Sequence, residues 1–153
     1  MFFLGCKALT SITIPLVIEI IGRTVLFGEK FMNGINLPES IKILNNNTFI
    51  EHNINSVIIP NNITRINKYT FFNCSLLKNI YLPNSVTSIG SFAFLSCSNL
   101  TTVIISNSQI EIGKCAFGFC DSISEFIIQG HKAILGIDSK YNNLLRKKID
   151  QLF

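Results

Sequence analysis

The sequence has no tryptophan, four prolines and two histidines, and only 14% of its 153 residues are charged. Hydrophobic residues make up 48% of the chain, which excludes an intrinsically disordered protein, because such proteins are poor in apolar residues and rich in charge. No run of about 18 uncharged apolar residues occurs, so we predict no membrane span. The formal net charge is +4 and the basic residues are scattered until the C-terminal end, so we expect no nucleic-acid partner.

The sequence also lacks the residue groups of a catalytic or cofactor-binding site. It has no glycine-rich phosphate loop. His131 could be paired with Cys115 or Asp138, but no spacing requires such a pair, and a polar loop histidine is the simpler interpretation. We therefore predict no enzymatic activity, no cofactor and no metal site.

What the sequence does contain is a repeat of about 23 residues. The four prolines share one phase at Pro15, Pro38, Pro60 and Pro83, spaced 23, 22 and 23 residues apart, and Ser106 and Gln129 continue the count. Each unit has apolar residues three residues and one residue before this position, as in Ile35 and Leu37, Val57 and Ile59, Ile80 and Leu82, and Val103 and Ile105. A spacing of two is typical of a strand with one buried face.

The second half of each unit predicts another short strand and a turn. Apolar residues lie three and six residues after the proline position, and the next residue is Gly22, Asn45, Asn67, Gly90 or Gly113. Because Gly and Asn tolerate positive φ, we expect a tight turn there. Eleven residues after the proline position comes a large apolar residue, which is Phe in four units: Phe49, Phe71, Phe94 and Phe117.

The stretch from Leu77 to Cys97, LKNIYLPNSVTSIGSFAFLSC, shows the unit most clearly. Its pattern resembles the leucine-rich repeat of the BspA-like proteins, from about Phe2 to Gln129. The resemblance implies a β-rich α/β fold, a right-handed leucine-rich-repeat solenoid with short strands and turn or 3-10 segments. Residues such as Ser85 stand where the ordinary leucine-rich repeat has Asn or Cys, so we do not expect the usual buried Asn ladder.

We divide the chain into two parts. Residues 1–130 would form a solenoid of about five to six coils, the first incomplete, in which stacked units bury what one unit cannot. Residues 131–153 would form a C-terminal capping segment, with a helix from Asp138 or Ser139 through Leu152. The first coil would leave an open N-terminal edge through which the chain could self-associate, exposing Phe2, Phe3, Leu9 and Ile12.

Four of the five cysteines recur in one phase of the repeat, at Cys6, Cys74, Cys97 and Cys120. Zinc sites usually bring cysteines in local pairs, which these are not. Stacked coils could bring neighbours about 5 Å apart, within disulfide range, or the thiols could pack as small hydrophobic residues. The odd number of cysteines and the presence of His52 in the same phase favour a column of buried thiols.

Two residues before the proline position, the side chain should point away from the core. This places Ile58, Tyr81, Ile104 and Ile127 on adjacent strands, where earlier units carry Thr13 and Asn36, and polar residues flank them at Asn79, Thr102 and Glu125. A contiguous exposed apolar patch often marks an interaction surface, although such residues also simply favour strands. We predict that a protein partner binds this exposed strand face, with Tyr81 as its anchor.

The sequence thus predicts a non-enzymatic protein–protein interaction module. BspA-like proteins include surface adhesins, so the resemblance implies a cell-surface or adhesion-type protein that binds host or matrix protein. The alternative is an intracellular scaffold or regulatory subunit, which the absence of a basic segment before the apolar start favours. The chain would be cytoplasmic if it is complete as given. An enzyme whose catalytic part lies on another segment is a third alternative.

Overall fold

The structure is a computed structural model that describes residues 12–23, 34–129 and 131–133. Within these ranges the chain winds into a β-solenoid of about four turns, made of short strands joined by turns. The strands are β1 (Ile20–Ile21), β2 (Ile35–Asn36), β3 (Ile43–Leu44), β4 (Val57–Ile58), β5 (Arg65–Ile66), β6 (Asn79–Leu82), β7 (Ser88–Ile89), β8 (Thr102–Ile105), β9 (Glu111–Ile112), β10 (Glu125–Ile128) and β11 (His131–Ala133).

The strands form two ladders along the solenoid. The front ladder contains the strands that come just before the proline position, and the back ladder contains those that follow it. In front, β2 pairs with β4, and β6, β8 and β10 pair in succession; at the back, β1 pairs with β3, and β5, β7 and β9 pair in succession. These pairs are parallel, and each residue lies beside its equivalent in the next coil, as Ile80 lies beside Val103. The two predicted strands are confirmed in the units of Pro38, Pro60, Pro83 and Ser106, whereas residues 12–14 before Pro15 form no strand.

The core consists of columns of equivalent residues, of which the phenylalanine column is the most regular. The rings of Phe49, Phe71, Phe94 and Phe117 are fully or almost fully buried, with successive centroids 5.1, 5.1 and 5.0 Å apart. Their planes are nearly parallel, and Phe126 closes the column edge-on, 5.4 Å from Phe117. Stacked coils thus exclude water from rings that a single coil would expose.

Each proline closes a turn between the front strand and the back strand. The carbonyl of the proline accepts a hydrogen bond from the N–H three residues later, at 3.0 to 3.1 Å in all four units. Where Ser106 replaces the proline, its N–H donates to the Leu82 carbonyl of the preceding coil at 3.0 Å. Proline, which has no N–H, therefore lacks the hydrogen bond between coils that Ser106 makes at this position.

The predicted reason for Gly at the start of the following turn is wrong. Gly90 and Gly113 do not have positive φ, and neither do Asn45 and Asn67. At Gly90 and Gly113 the absence of a side chain instead matters because the backbones of successive coils approach closely there. A Cβ at Gly90 would lie 2.7 Å from the Lys68 nitrogen, which is closer than real Cβ contacts.

Positive φ occurs at two other corners of each coil, nine and thirteen residues after the proline position. The first corner is formed by Asn47, Tyr69, Phe92 and Cys115, and the second by Glu51, Asn73, Ser96 and Phe119. Such a conformation is strained for a residue with a side chain. Hydrogen bonds between coils hold it, since the N–H of Asn73 donates to the Leu95 carbonyl at 2.8 Å and the N–H of Ser96 donates to the Gly118 carbonyl at 2.8 Å.

One unit is a residue shorter than the others, between His52 and Ile54. In the longer units the N–H of Leu77 or Leu100 closes a turn onto the carbonyl of the preceding cysteine, at 3.1 and 3.0 Å. The shortened coil has His52 in the cysteine phase, fully buried. Its strands β3 and β4 are the last members of their sheets, so both ladders are interrupted at this coil.

The described residues contain no helix, so the α part of the predicted α/β class has no counterpart there, and turns take the place of 3-10 segments. The predicted helix from Asp138 or Ser139 to Leu152 lies outside the described residues. His131 begins β11, which pairs antiparallel with β10, so the prediction of a loop histidine is wrong.

Candidate interaction surface

Alternation along the front strands determines which side chains face solvent. In β6, Ile80 and Leu82 are buried, whereas Asn79 and Tyr81 are exposed. The same alternation holds in β8 and β10, where the outward residues are half-buried. The front face therefore carries two columns of outward-pointing side chains. The first column lies two residues before the proline position, and the second lies four residues before it.

The first column brings three of the predicted residues together. Tyr81 pairs with Ile104 in the register of β6 and β8, and Ile104 pairs with Ile127 in the register of β8 and β10. Hydrogen-bonded strands lie about 4.8 Å apart, so these side chains are direct neighbours. We call Tyr81, Ile104 and Ile127 the apolar stripe.

Exposure within the apolar stripe is uneven. Tyr81 is 52% exposed, while Ile104 and Ile127 are half-buried. The Ser106 hydroxyl donates to the Tyr81 hydroxyl oxygen at 3.0 Å, which holds the phenol in place. Each of these hydroxyls has one donor and two acceptor sites, so Tyr81 can still hydrogen-bond a partner while it contacts Ser106. Tyr81 thus has the most accessible surface of the three.

The fourth predicted residue, Ile58, lies outside this register. It is 65% exposed and pairs with Asn36 across β4 and β2, in the sheet that ends at the interruption. The adjoining coils are linked nearby, since the N–H of Lys78 donates to the Asn55 carbonyl at 3.2 Å. Ile58 is therefore an exposed neighbour of the apolar stripe rather than a member of its ladder.

The polar residues predicted to flank the stripe form the second column. Asn79, Thr102 and Glu125 are paired in succession across β6, β8 and β10. The Thr101 hydroxyl donates to the Asn79 side-chain oxygen at 3.4 Å and to the Lys78 carbonyl at 3.0 Å. The column offers amide, hydroxyl and carboxylate groups beside an apolar surface, which suits a protein partner.

Strand β11 ends the front face on its C-terminal side. It runs antiparallel to β10 and places Lys132 opposite Ile127 and His131 opposite Ile128 in the register. The apolar stripe therefore spans three parallel strands and then meets a strand of opposite direction.

A second aromatic group lies at the corners with positive φ, and the sequence prediction did not include it. The rings of Tyr69 and Phe92 stack with centroids 5.2 Å apart, Phe72 contacts Tyr69 edge-on at 5.8 Å, and Phe119 is exposed. The signal in the sequence is the shared phase of Tyr69 and Phe92, nine residues after the proline position. Only the positive φ of these residues shows that their side chains lie at a corner.

The cysteine column lies in the core, away from this face. The thiols of Cys74, Cys97 and Cys120 donate to the carbonyls of Phe49, Phe71 and Phe94 in the preceding coil at 3.0, 3.1 and 3.0 Å. Burial raises the pKa of the Cys74 thiol to about 12 and that of Cys97 well above its ordinary value of 9.0. None of the cysteines in the described ranges forms a disulfide.

Two kinds of site are not found within the described ranges. No three His, Cys, Asp or Glu side chains there cluster closely enough to hold a metal ion. No helix among residues 12–23, 34–129 and 131–133 has the length and apolar character needed to cross a membrane.

The repeat and its geometry agree with a known family. A family model described as a BspA type leucine rich repeat region matches residues 1–124 with six copies of the repeat. The chain belongs to this family. Curated proteins give no match.

Two solved structures are similar to this chain in fold. A leucine rich cell surface protein from Faecalibacterium prausnitzii A2-165 matches with a TM-score of 0.73 at 22% identity, covering 77% of this chain and 31% of that one. A leucine-rich repeat protein from Bacteroides ovatus ATCC 8483 matches with a TM-score of 0.66 at 26% identity, covering 72% of this chain and 29% of that one. This chain therefore matches only about a third of the length of each.

Proposed function

We propose that this BspA-type repeat chain is a non-enzymatic protein-interaction module that binds a partner through its front face. The observation that supports this most directly is the register that aligns Tyr81, Ile104 and Ile127. Contiguous apolar surface bordered by polar groups is the composition of many interfaces. Tyr81, exposed and fixed by Ser106, is the anchor, because an ordered aromatic side chain loses little entropy on binding.

The partner would be a host or matrix protein and the chain part of a cell-surface adhesin. This version draws support from the solved structure that is named a leucine rich cell surface protein. The alternative is an intracellular scaffold or regulatory subunit that uses the same face. Labelling intact cells with a membrane-impermeant reagent separates the two, because only a surface protein is labelled without lysis.

A double variant tests the binding face. We expect the Tyr81→Ser/Ile104→Ser chain to lose at least tenfold in affinity for matrix proteins, with immobilised fibronectin, laminin and fibrinogen as the probes in surface plasmon resonance. The Ile20→Ser/Ile43→Ser chain is the matched control, since these two isoleucines are also paired and exposed but lie on the back ladder. Circular dichroism should show that both variants keep their strands.

Each outcome has a defined meaning. Loss of binding in the front variant alone supports the proposal. Equal binding by both variants would remove the front face from consideration. Failure of the unchanged chain to bind any of the three matrix proteins would contradict the matrix-adhesin version.

Self-association through the N-terminal edge is a further part of the proposal. Phe2, Phe3 and Leu9 lie outside the described residues, whereas Ile12 is half-buried and packs against the core. Sedimentation velocity at increasing protein concentration tests it, and a monomer over the whole range would contradict it.

A further inference from the structure

The thiols of the cysteine column lie directly beside the backbone of the neighbouring cysteine. The Phe94 carbonyl accepts one hydrogen bond from the N–H of Cys97 at 3.2 Å and another from the Cys120 thiol at 3.0 Å. The Phe71 carbonyl likewise accepts from Cys74 and from the Cys97 thiol. Every thiol thus points along the solenoid axis toward the preceding coil.

The spacing of the coils determines which of these cysteines could be joined. The stacked phenylalanine rings nearby show a coil spacing of 5.0 to 5.1 Å. Disulfides usually join residues whose Cα atoms are about 4.4–6.8 Å apart, so adjacent coils are within range. Cys74 and Cys120 are two coils apart, about 9.6 Å at the usual strand spacing, which is beyond that range.

We propose that Cys97 is the obligatory member of an inter-coil disulfide, which it forms with either Cys74 or Cys120 when the protein meets a small-molecule disulfide. One thiol of the pair loses its proton, and its sulfur attacks a sulfur of oxidised glutathione, releasing a first glutathione thiolate that takes up a proton. The second protein sulfur then attacks the mixed disulfide and releases a second glutathione. Two protein thiols are oxidised, and one glutathione disulfide is reduced to two thiols.

Either disulfide removes two thiol hydrogen bonds, because both sulfurs lose their protons. Cys97 gives up its bond to the Phe71 carbonyl, and its partner gives up the bond to Phe49 if it is Cys74 or to Phe94 if it is Cys120. Disulfide formation would also require a transient opening, because all three thiols are buried and a protonated thiol is a poor nucleophile. Formation is therefore slow in the native state and faster when one coil opens. The product covalently joins two consecutive coils. The solenoid would therefore be stiffer in an oxidising compartment, whereas in a reducing compartment the coils stay unlinked.

The test uses the full chain with Cys6 and Cys115 replaced by Ser, which leaves only the three column thiols. This background and its Cys74→Ser, Cys97→Ser and Cys120→Ser derivatives are incubated with oxidised glutathione, with and without urea below the unfolding transition. Remaining thiols are alkylated and the linked peptides are identified by mass spectrometry. Cys→Ala versions replace any Ser variant whose circular dichroism shows misfolding.

We expect the background to lose two of its three thiols to a disulfide that contains Cys97. The Cys74→Ser chain should link Cys97 to Cys120, the Cys120→Ser chain should link Cys74 to Cys97, and the Cys97→Ser chain should form no internal disulfide. An internal disulfide in the Cys97→Ser chain would overturn the proposal. So would retention of all three thiols by the folded background at every urea concentration.

Discussion

The Cys97 thiol and the backbone N–H of Cys74 donate to the same carbonyl oxygen, that of Phe71, at 3.1 and 3.2 Å. The N–H bond closes a turn within one coil, whereas the thiol bond comes from the next coil. One acceptor therefore links the local turn to the stacking of coils. This arrangement explains why a cysteine suits the position better than an aliphatic residue of similar size, which would leave the carbonyl with one donor fewer.

We expect the thiols of the reduced, folded protein to react slowly with Ellman's reagent. The pKa of Cys74 is about 12, so only about one thiol in ten thousand is ionised at pH 8. Under denaturing conditions without reductant, all five cysteines should react. A titration that finds one thiol or none would show that the protein is isolated with disulfides.

Stability should decrease at alkaline pH because of the cysteine column. The pKa of Cys74 is about 12 in the folded state against an ordinary value of 9.0, so between these values the folded state keeps a proton that the unfolded state has lost. The free energy of unfolding then falls as pH rises through this window, by up to about 1.4 kcal/mol per pH unit for one thiol.

Urea unfolding at pH 8 to 11 in the presence of reductant measures this effect. The Cys74→Ala chain is the control, since it differs from the unchanged chain only in this thiol. Its free energy of unfolding should depend less steeply on pH than that of the unchanged chain. Identical slopes would show that Cys74 does not contribute.

Gly90→Ala should destabilise the protein by about 1–3 kcal/mol, because the new methyl group meets backbone atoms that cannot move independently. Its Cβ would lie 2.7 Å from the Lys68 nitrogen and 2.9 Å from the Asn67 carbonyl carbon. Gly34→Ala is the matched control, since its Cβ would approach a side-chain oxygen, that of Ser56 at 2.7 Å, rather than backbone atoms. Thermal unfolding measures the stability of both variants. An equal loss of stability in the two would contradict the explanation by close approach of the backbones.

Phe94→Ala should cost about 3–5 kcal/mol, because it removes a buried ring from the middle of the column. Phe94 has stacked neighbours on both sides, Phe71 and Phe117. Phe119→Ala removes the same group from an exposed corner and should change stability by less than about 1 kcal/mol. Urea unfolding compares the two, and a Phe94 variant as stable as the Phe119 variant would refute the role of the column.

The shortened coil allows a test of whether the His52 side chain compensates for the residue that is missing between His52 and Ile54. His52→Cys should destabilise the protein, because the smaller thiol leaves space beside Phe49, whose ring the imidazole contacts edge-on at 6.4 Å. Inserting Ser after Asn53 should also destabilise it by overfilling the turn. Together the two changes recreate the longer unit, so their combined cost should be smaller than the sum of the single costs. Simple additivity would show that His52 and the missing residue are unrelated.

The sequence predicted those features that depend on repeat phase alone. Equivalent positions must stack, so the register of Tyr81 with Ile104 followed from their spacing of 23 residues. The corner at Phe92 could not be predicted, because its positive φ is maintained by a hydrogen bond to the Lys114 carbonyl that exists only after stacking. Ile58 has the same phase as Tyr81, yet the interrupted ladder separates them, and phase does not reveal such an interruption.

The hydrogen bonds between coils run in opposite directions on different sides of the solenoid. At the back ladder, the N–H of Gly113 donates to the earlier coil, at Ile89, whereas at the corner the N–H of Phe94 donates to the later coil, at Ala116. The bond dipoles of these two sides therefore oppose each other, unlike those of an α-helix, which add along its axis. The hydrogen bonds of these two sides therefore add no net partial charge to the ends of the solenoid when further coils are stacked. A longer array is not destabilised by the dipoles of these bonds.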